Sequence, residues 1–108
     1  MSEWQTAEEF KQHLNTSFRV QVDAPKPIDL TLVDVVSRPS DASEEQGMER
    51  FSAFFSGSPE FMLPQSTYRL VHPEMGEFDV FLVVIAQDPG GFRYEAVYNY
   101  YKPNAQAQ

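Results

Sequence analysis

The stretch from Leu63 to Ile85, LPQSTYRLVHPEMGEFDVFLVVI, constrains the fold more than any other part of this chain. Thr67 to His72 reads as a strand. Pro73-Glu74-Met75-Gly76 places proline and glycine where a tight turn favours them, and Glu77 to Gln87 reads as the returning strand. Two strands joined by so short a turn form an antiparallel hairpin. From Val80 to Ile85 the second strand is apolar on both faces, the pattern of a central strand.

The rest of the chain extends this pattern. Thr6-Ala7-Glu8-Glu9 matches a capping box. Phe10 and Leu14 are spaced i, i+4, so a short helix is expected over about 7–14, ended by Asn15, with Trp4 stapling it to a sheet. Phe18, Val20 and Val22 alternate with polar residues as a half-buried strand that Pro25 and Pro27 stop. A second strand begins with Ile28, Leu30 and Leu32 and becomes apolar on both faces at Val33, Val35 and Val36. Residues 37–47, SRPSDASEEQG, read as a mobile polar loop. Phe51, Ala53 and Phe55 mark a third strand, and Ser56-Gly57-Ser58-Pro59 a turn. Asp88-Pro89-Gly90-Gly91 has hairpin chemistry. It leads to a last strand with Phe92, Tyr94, Ala96, Tyr98 and Tyr100 on one face, and 102–108 reads as a disordered tail. The expected fold is mainly β: an antiparallel six-stranded meander, curled or closed into a small split barrel, with one short N-terminal helix.

Composition narrows the function classes. A chain of 108 residues is one domain by length, here 1–108, and buries roughly two thirds of its unfolded surface. With no cysteine, disulfides and thiolate metal sites are excluded, and a reducing compartment fits. The N-terminal MSEWQTAEEF lacks the basic and apolar regions of a signal peptide, and no apolar run is long enough to span a membrane. A cytoplasmic protein is expected. The net charge of -8 repels phosphate backbones and anionic lipid surfaces, so neither nucleic acid nor a membrane is an expected partner.

Chemistry has few candidates. His72-Pro73-Glu74 could set a general base beside a carboxylate that orients it. The simpler reading is a turn in which proline fixes φ and the imidazole bonds the backbone. The two histidines, His13 and His72, show no metal-ligand spacing, and Asp41, Glu44 and Glu45 lack the glycine and spacing of a calcium loop. No serine sits in a nucleophile elbow and no glycine-rich phosphate loop exists. No metal and no cofactor is therefore expected. The aromatic ladder of the last strand could stack on a base, a sugar or a proline-rich peptide, or could simply pack on the core. Glu95 and Asn99 share the opposite face with Val97 as candidates for a contact role.

Five segments in order, FSAFFSGSP (51–59), LPQSTY (63–68), HPEMG (72–76), FLVV (81–84) and YEAVYN (94–99), resemble a family of short bacterial proteins known only as a domain of unknown function. Its pattern is similar to F-x-L-x-F-x-G-P, L-P-Q-G-x-Y, H-P-x-L-G, F-L-V-P and Y-E-A-x-F-N. The resemblance covers about residues 10–99. Ser66 stands where the family has glycine, Ser58 intervenes before Pro59, and Val84 replaces a proline. The resemblance lends no activity. It implies that Gln65, Tyr68, His72, Glu95 and Asn99 belong to a shared signature, serving a common site or closing turns and strand ends. The expected function is a non-catalytic binding or interaction module, such as an accessory subunit of a larger, phage-tail-like assembly, with a protein partner or a homo-oligomer. The alternative is a small enzyme or ligand carrier working at the His72/Tyr68 hairpin. In it His72 is the base, Glu74 or Glu95 its orienter, and Tyr68 or Gln65 holds substrate.

Overall fold

The structure, a computed structural model, describes residues 5–23, 26–37 and 48–101. Helix α1 (Ala7–Lys11) is followed by β1 (Ser17–Val20), β2 (Ile28–Ser37), β3 (Met48–Gly57), β4 (Ser66–His72), β5 (Gly76–Asp88) and β6 (Gly91–Tyr101). All strand pairings are antiparallel, and the hydrogen-bonded order β1-β2-β3-β6-β5-β4 closes into a barrel. The six strands are those the sequence foretells, but their order is not a simple meander. Two three-stranded meanders face each other, joined along β3–β6 and along a short β1–β4 seam where Arg19 pairs with Val71 and Val20 with Leu70. Strand β5 changes partner midway, pairing with β4 up to Leu82 and with β6 from Val83.

Alternation decides what points inward. Phe18, Val20, Leu30, Leu32, Phe51, Ala53, Phe55, Leu70, Phe78, Val80, Leu82, Tyr94 and Ala96 form the buried interior. The aromatic ladder of β6 belongs to it. Tyr94 is buried, Phe92, Tyr98 and Tyr100 pack against the core, and Tyr98 stacks on Phe51 at 4.6 Å between ring centroids. Burial pushes the Tyr98 hydroxyl pKa upward.

Helix α1 closes the end where β4 turns into β5. Thr6 and Glu9 form the foretold capping box, each side chain bonding the other's backbone amide at 3.1 Å. The helix is shorter than the spacing of Phe10 and Leu14 suggests. It stops at Lys11, Asn15 takes a left-handed φ of 68°, and Leu14 is exposed. The reason is that the chain must turn at once to meet β2, where the Asn15 amide donates to Leu32 and the Leu32 amide to Thr16. At the opposite end, residues 58–65 cross from β3 to β4, with Leu63 buried and its amide donating to the Tyr94 hydroxyl at 2.9 Å. Strand β3 runs through Ser56 and Gly57, so the turn comes later than their composition suggests. Strand β1 stops at Val20, leaving Val22 outside it and exposed.

The exterior corrects a second expectation. The sequence pattern predicts that Val36, Phe81 and Ile85 lie in strands buried on both faces, yet they are 43%, 49% and 46% exposed. No second layer covers the outer faces among the described residues; curling six strands around one core leaves those faces to solvent. The expected loop beyond Ser37, the tail 102–108, Trp4, Pro25, and the carboxylates Asp41, Glu44 and Glu45 lie outside the described residues.

Candidate functional site

The five signature residues fall in three separate places. His72 ends β4 and points inward, its ring 4.4 Å from that of Phe18 and 4.6 Å from that of His13. Its Nδ1 accepts from the amides of Glu74 at 3.1 Å and Met75 at 3.2 Å. Its Nε2 lies 3.0 Å from Thr16 Oγ1, and that hydroxyl donates to the His13 carbonyl at 2.6 Å. Because the threonine proton is spent on the carbonyl, Nε2 must be the donor, and the ring is the neutral Nε2–H tautomer. Burial first, and then the neighbouring His13, hold its pKa below the ordinary imidazole value. The Glu74 carboxylate does not orient His72. It reaches His13 Nδ1 at 3.4 Å, while the Glu74 backbone makes the contact to His72.

Tyr68 stands near the other end of the barrel, half-buried, its hydroxyl donating to the Pro64 carbonyl at 2.6 Å. Gln65 is exposed in the crossing segment. Glu95 and Asn99 point outward from β6, the face opposite Tyr94 and Ala96. The residues invoked for base, orienter and substrate contact therefore do not converge. Among the described residues no group of His, Asp or Glu is placed to hold a metal ion.

What does converge is the outer face of β2, β3, β6 and β5. Cross-strand register aligns Val36, Ser52 and Val97 in one row, and Asp34, Phe54, Glu95 and Val83 in the next. Phe81 lies two residues from Val83 on the same face, and Ile85 stands in the bulge between Val84 and Ala86. Val97 is 57% exposed, the most exposed of the large apolar side chains described. Ser52, itself buried, donates to Glu95 Oε2 at 2.7 Å and fixes the carboxylate amid the apolar residues. Arg50, opposite Asn99, and Arg93, opposite Ser56, stand at the two ends of the β3–β6 pair, and Arg93 Nε is buried with no acceptor among the described residues.

The other wall differs in kind. On β1, β2, β4 and the start of β5, Arg19 pairs with Asp29, and Arg69 with Asp79 at 2.8 Å and Glu77 at 3.4 Å. These exposed pairs hold the Arg19 and Arg69 pKa up and that of Asp79 down, and they keep the wall wet. Sequence reasoning found Glu95 and Asn99 but missed Phe81, Val83, Val36 and Phe54. Their signal was present as apolar residues on both faces of a strand, and it pointed equally to deep burial.

The interior leaves little for a ligand. Phe10, fully buried, lies 5.6 to 6.3 Å from the rings of Phe18, Phe51, Phe55, Phe78 and Tyr98. At the far end a cleft of about 260 Å³ opens between Lys26–Leu30 and the crossing segment, over Gly57, Leu63 and Tyr94. It takes in neither Tyr68 nor His72.

A family model described as Domain of unknown function (DUF6916) matches residues 5–98. No curated protein and no solved structure matches the chain.

Proposed function

We propose, for a chain that belongs to the DUF6916 family of unknown function, a role as a non-catalytic interaction module that docks a protein partner on the outer face of β2, β3, β6 and β5. One observation carries the reading: large apolar side chains stand exposed together on one wall while ion pairs line the other. Exposed apolar side chains gathered on one face support a contact surface there. The role suits an accessory subunit of a larger assembly. The lack of cysteine supports the cytoplasm as its compartment. A net charge of -8 argues for protein rather than nucleic acid or a membrane surface as the partner. The enzyme or carrier alternative has less support, because both ring nitrogens of His72 and the hydroxyl of Tyr68 are already engaged.

The test compares affinity-tagged wild type with Val97→Arg on the apolar wall and Ser17→Arg on the polar wall, where Ser17 is exposed on β1 opposite Thr31. Each is scored by thermal melting and by quantitative mass spectrometry of proteins co-purified from the source cells. We expect all three to melt within about 3 °C of one another, as surface substitutions do. We expect Val97→Arg to lose the co-purifying partner at least tenfold while Ser17→Arg keeps it. Equal recovery by both variants, or no specific partner of the wild type, overturns the reading.

A further inference from the structure

We infer that His72 is a proton-sensitive latch between the N-terminal plug and the β4–β5 turn: when Nδ1 takes a proton, the turn comes off the barrel end while the barrel itself stays folded. The inference is independent of the docking surface, which lies outside the barrel.

The latch follows from donor and acceptor bookkeeping. Pro73, Glu74 and Met75 make a three-residue turn that re-enters β5 at Gly76, whose φ of +83° suits glycine. Two amides of that turn, Glu74 and Met75, share one acceptor, the lone pair on His72 Nδ1. A protonated Nδ1 is a donor facing two donors, so both bonds are lost together. The Nε2–H bond to Thr16 survives protonation, so the ring stays tied to the segment that follows α1 and lets go of the turn.

The surroundings bias the ring against a proton. Among the described residues the charged or titratable groups facing it are His13, from the segment after α1, and Glu74, from the turn; β1 contributes the Phe18 ring. His13 opposes a second positive charge at 4.6 Å. Glu74 would welcome one, but its carboxylate is largely exposed and directed at His13. The sign is then fixed. Closed, His72 binds a proton less readily than an ordinary imidazole at 6.5; open, with the turn and its two amide donors gone from Nδ1 and water in their place, it moves back toward the ordinary value. The closed turn is fully favoured above pH 6.5 and loses ground as pH falls through it, by up to tenfold in the open population per pH unit until the closed ring itself titrates.

The test uses the isotope-labelled full chain. Long-range proton–nitrogen correlation at pH 7.5 reads the tautomer, and amide exchange, corrected for its intrinsic pH dependence, reads the turn. We expect the Nε2–H tautomer, and protection of Glu74 and Met75 that falls about fivefold between pH 6.5 and 5.5 while Ala53 and Ala96 in the β3–β6 ladder hold. In His72→Asn the side-chain oxygen replaces Nδ1 as acceptor without titrating, so protection there should be flat with pH. Should that variant fail to fold, Glu74→Gln serves instead. It keeps the backbone amide bond to Nδ1 and removes the turn's carboxylate, which favours the proton only while the turn is closed, so the total fall should grow. An Nδ1–H tautomer, wild-type protection indifferent to pH, an equal fall in His72→Asn or a fall no larger in Glu74→Gln each overturns the latch. So does loss of Ala53 and Ala96 protection in step with the turn, which would mean global unfolding.

Discussion

Gly91 sits at a φ of +143°, and a Cβ built on it would lie 1.8 Å from the carbonyl oxygen of Gly57. Two independent constraints, a backbone conformation closed to L side chains and a backbone contact that cannot yield, fall on one residue. Gly76 offers the control. Its φ of +83° is also left-handed, yet nothing lies within 4 Å of its added Cβ. Gly76→Ala should therefore cost only the conformational penalty, about 1–2 kcal/mol. Gly91→Ala should cost about 3 kcal/mol or more, since a neighbouring strand end must also move. Urea titration of the two variants against wild type reads the difference directly; equal losses would mean that the contact at Gly57 relaxes freely. Gly57 is bound from the other side, where a Cβ would press on Leu30 at 2.9 Å and Tyr94 at 3.1 Å. The strand end, the hairpin and the floor of the cleft thus meet at a point with no room for side chains.

Helix α1 is too short to stand alone, because five residues barely exceed the helical nucleus. It exists because its cap is satisfied and because Phe10 enters the barrel among five other rings. The two supports should separate by size. Thr6→Ala removes one cap bond and should cost about 1 kcal/mol. Phe10→Ala empties the middle of the core and should cost about 3–5 kcal/mol. If denaturant unfolding shows the two costs comparable, the helix is a lid rather than a plug. The capping box was legible in sequence because its chemistry is local: a hydroxyl, a carboxylate and a spacing of three. So was the β4–β5 hairpin, with proline and glycine in its turn. The helix end was not, since Leu14 repeats the spacing of Phe10 and only the demand of β2 for Asn15 and Thr16 stops the helix early. The outer residues of β5 were read as buried because an apolar side chain carries the same letter whether a second layer or a partner covers it. The five signature residues were legible one by one. Their scatter over two barrel ends and an outer wall was not, because strand order is set by pairing across the whole chain.

At the scale of the molecule, the barrel is held by joints of unequal strength. The β3–β6 ladder runs from Met48–Tyr101 to Gly57–Phe92, the whole length of β3 and all of β6 but Gly91. The β1–β4 seam rests on Arg19–Val71 and Val20–Leu70, extended by the Gln21 amide donating to the Arg69 carbonyl at 2.9 Å. The C-terminal meander closes through short local turns at Pro73–Met75 and Pro89–Gly90, whereas β1 must find a partner some fifty residues away. Non-local pairing of this kind is the slow part of β folding, so the seam should be the last joint made. A chain waiting at that stage presents β1 and β4 as bare edges of matching register. Either edge can be filled by its own chain or by another copy's, with the same side-chain pairs. We therefore expect refolding at high protein concentration to yield a fraction of intertwined dimers that survive dilution, each barrel completed by the other's first strand. Native mass spectrometry after rapid refolding at two concentrations counts them, and a monomer at both would show that the seam closes before chains can meet. The same two-pair seam that finishes the barrel also leaves open, for a moment, whose barrel is being finished.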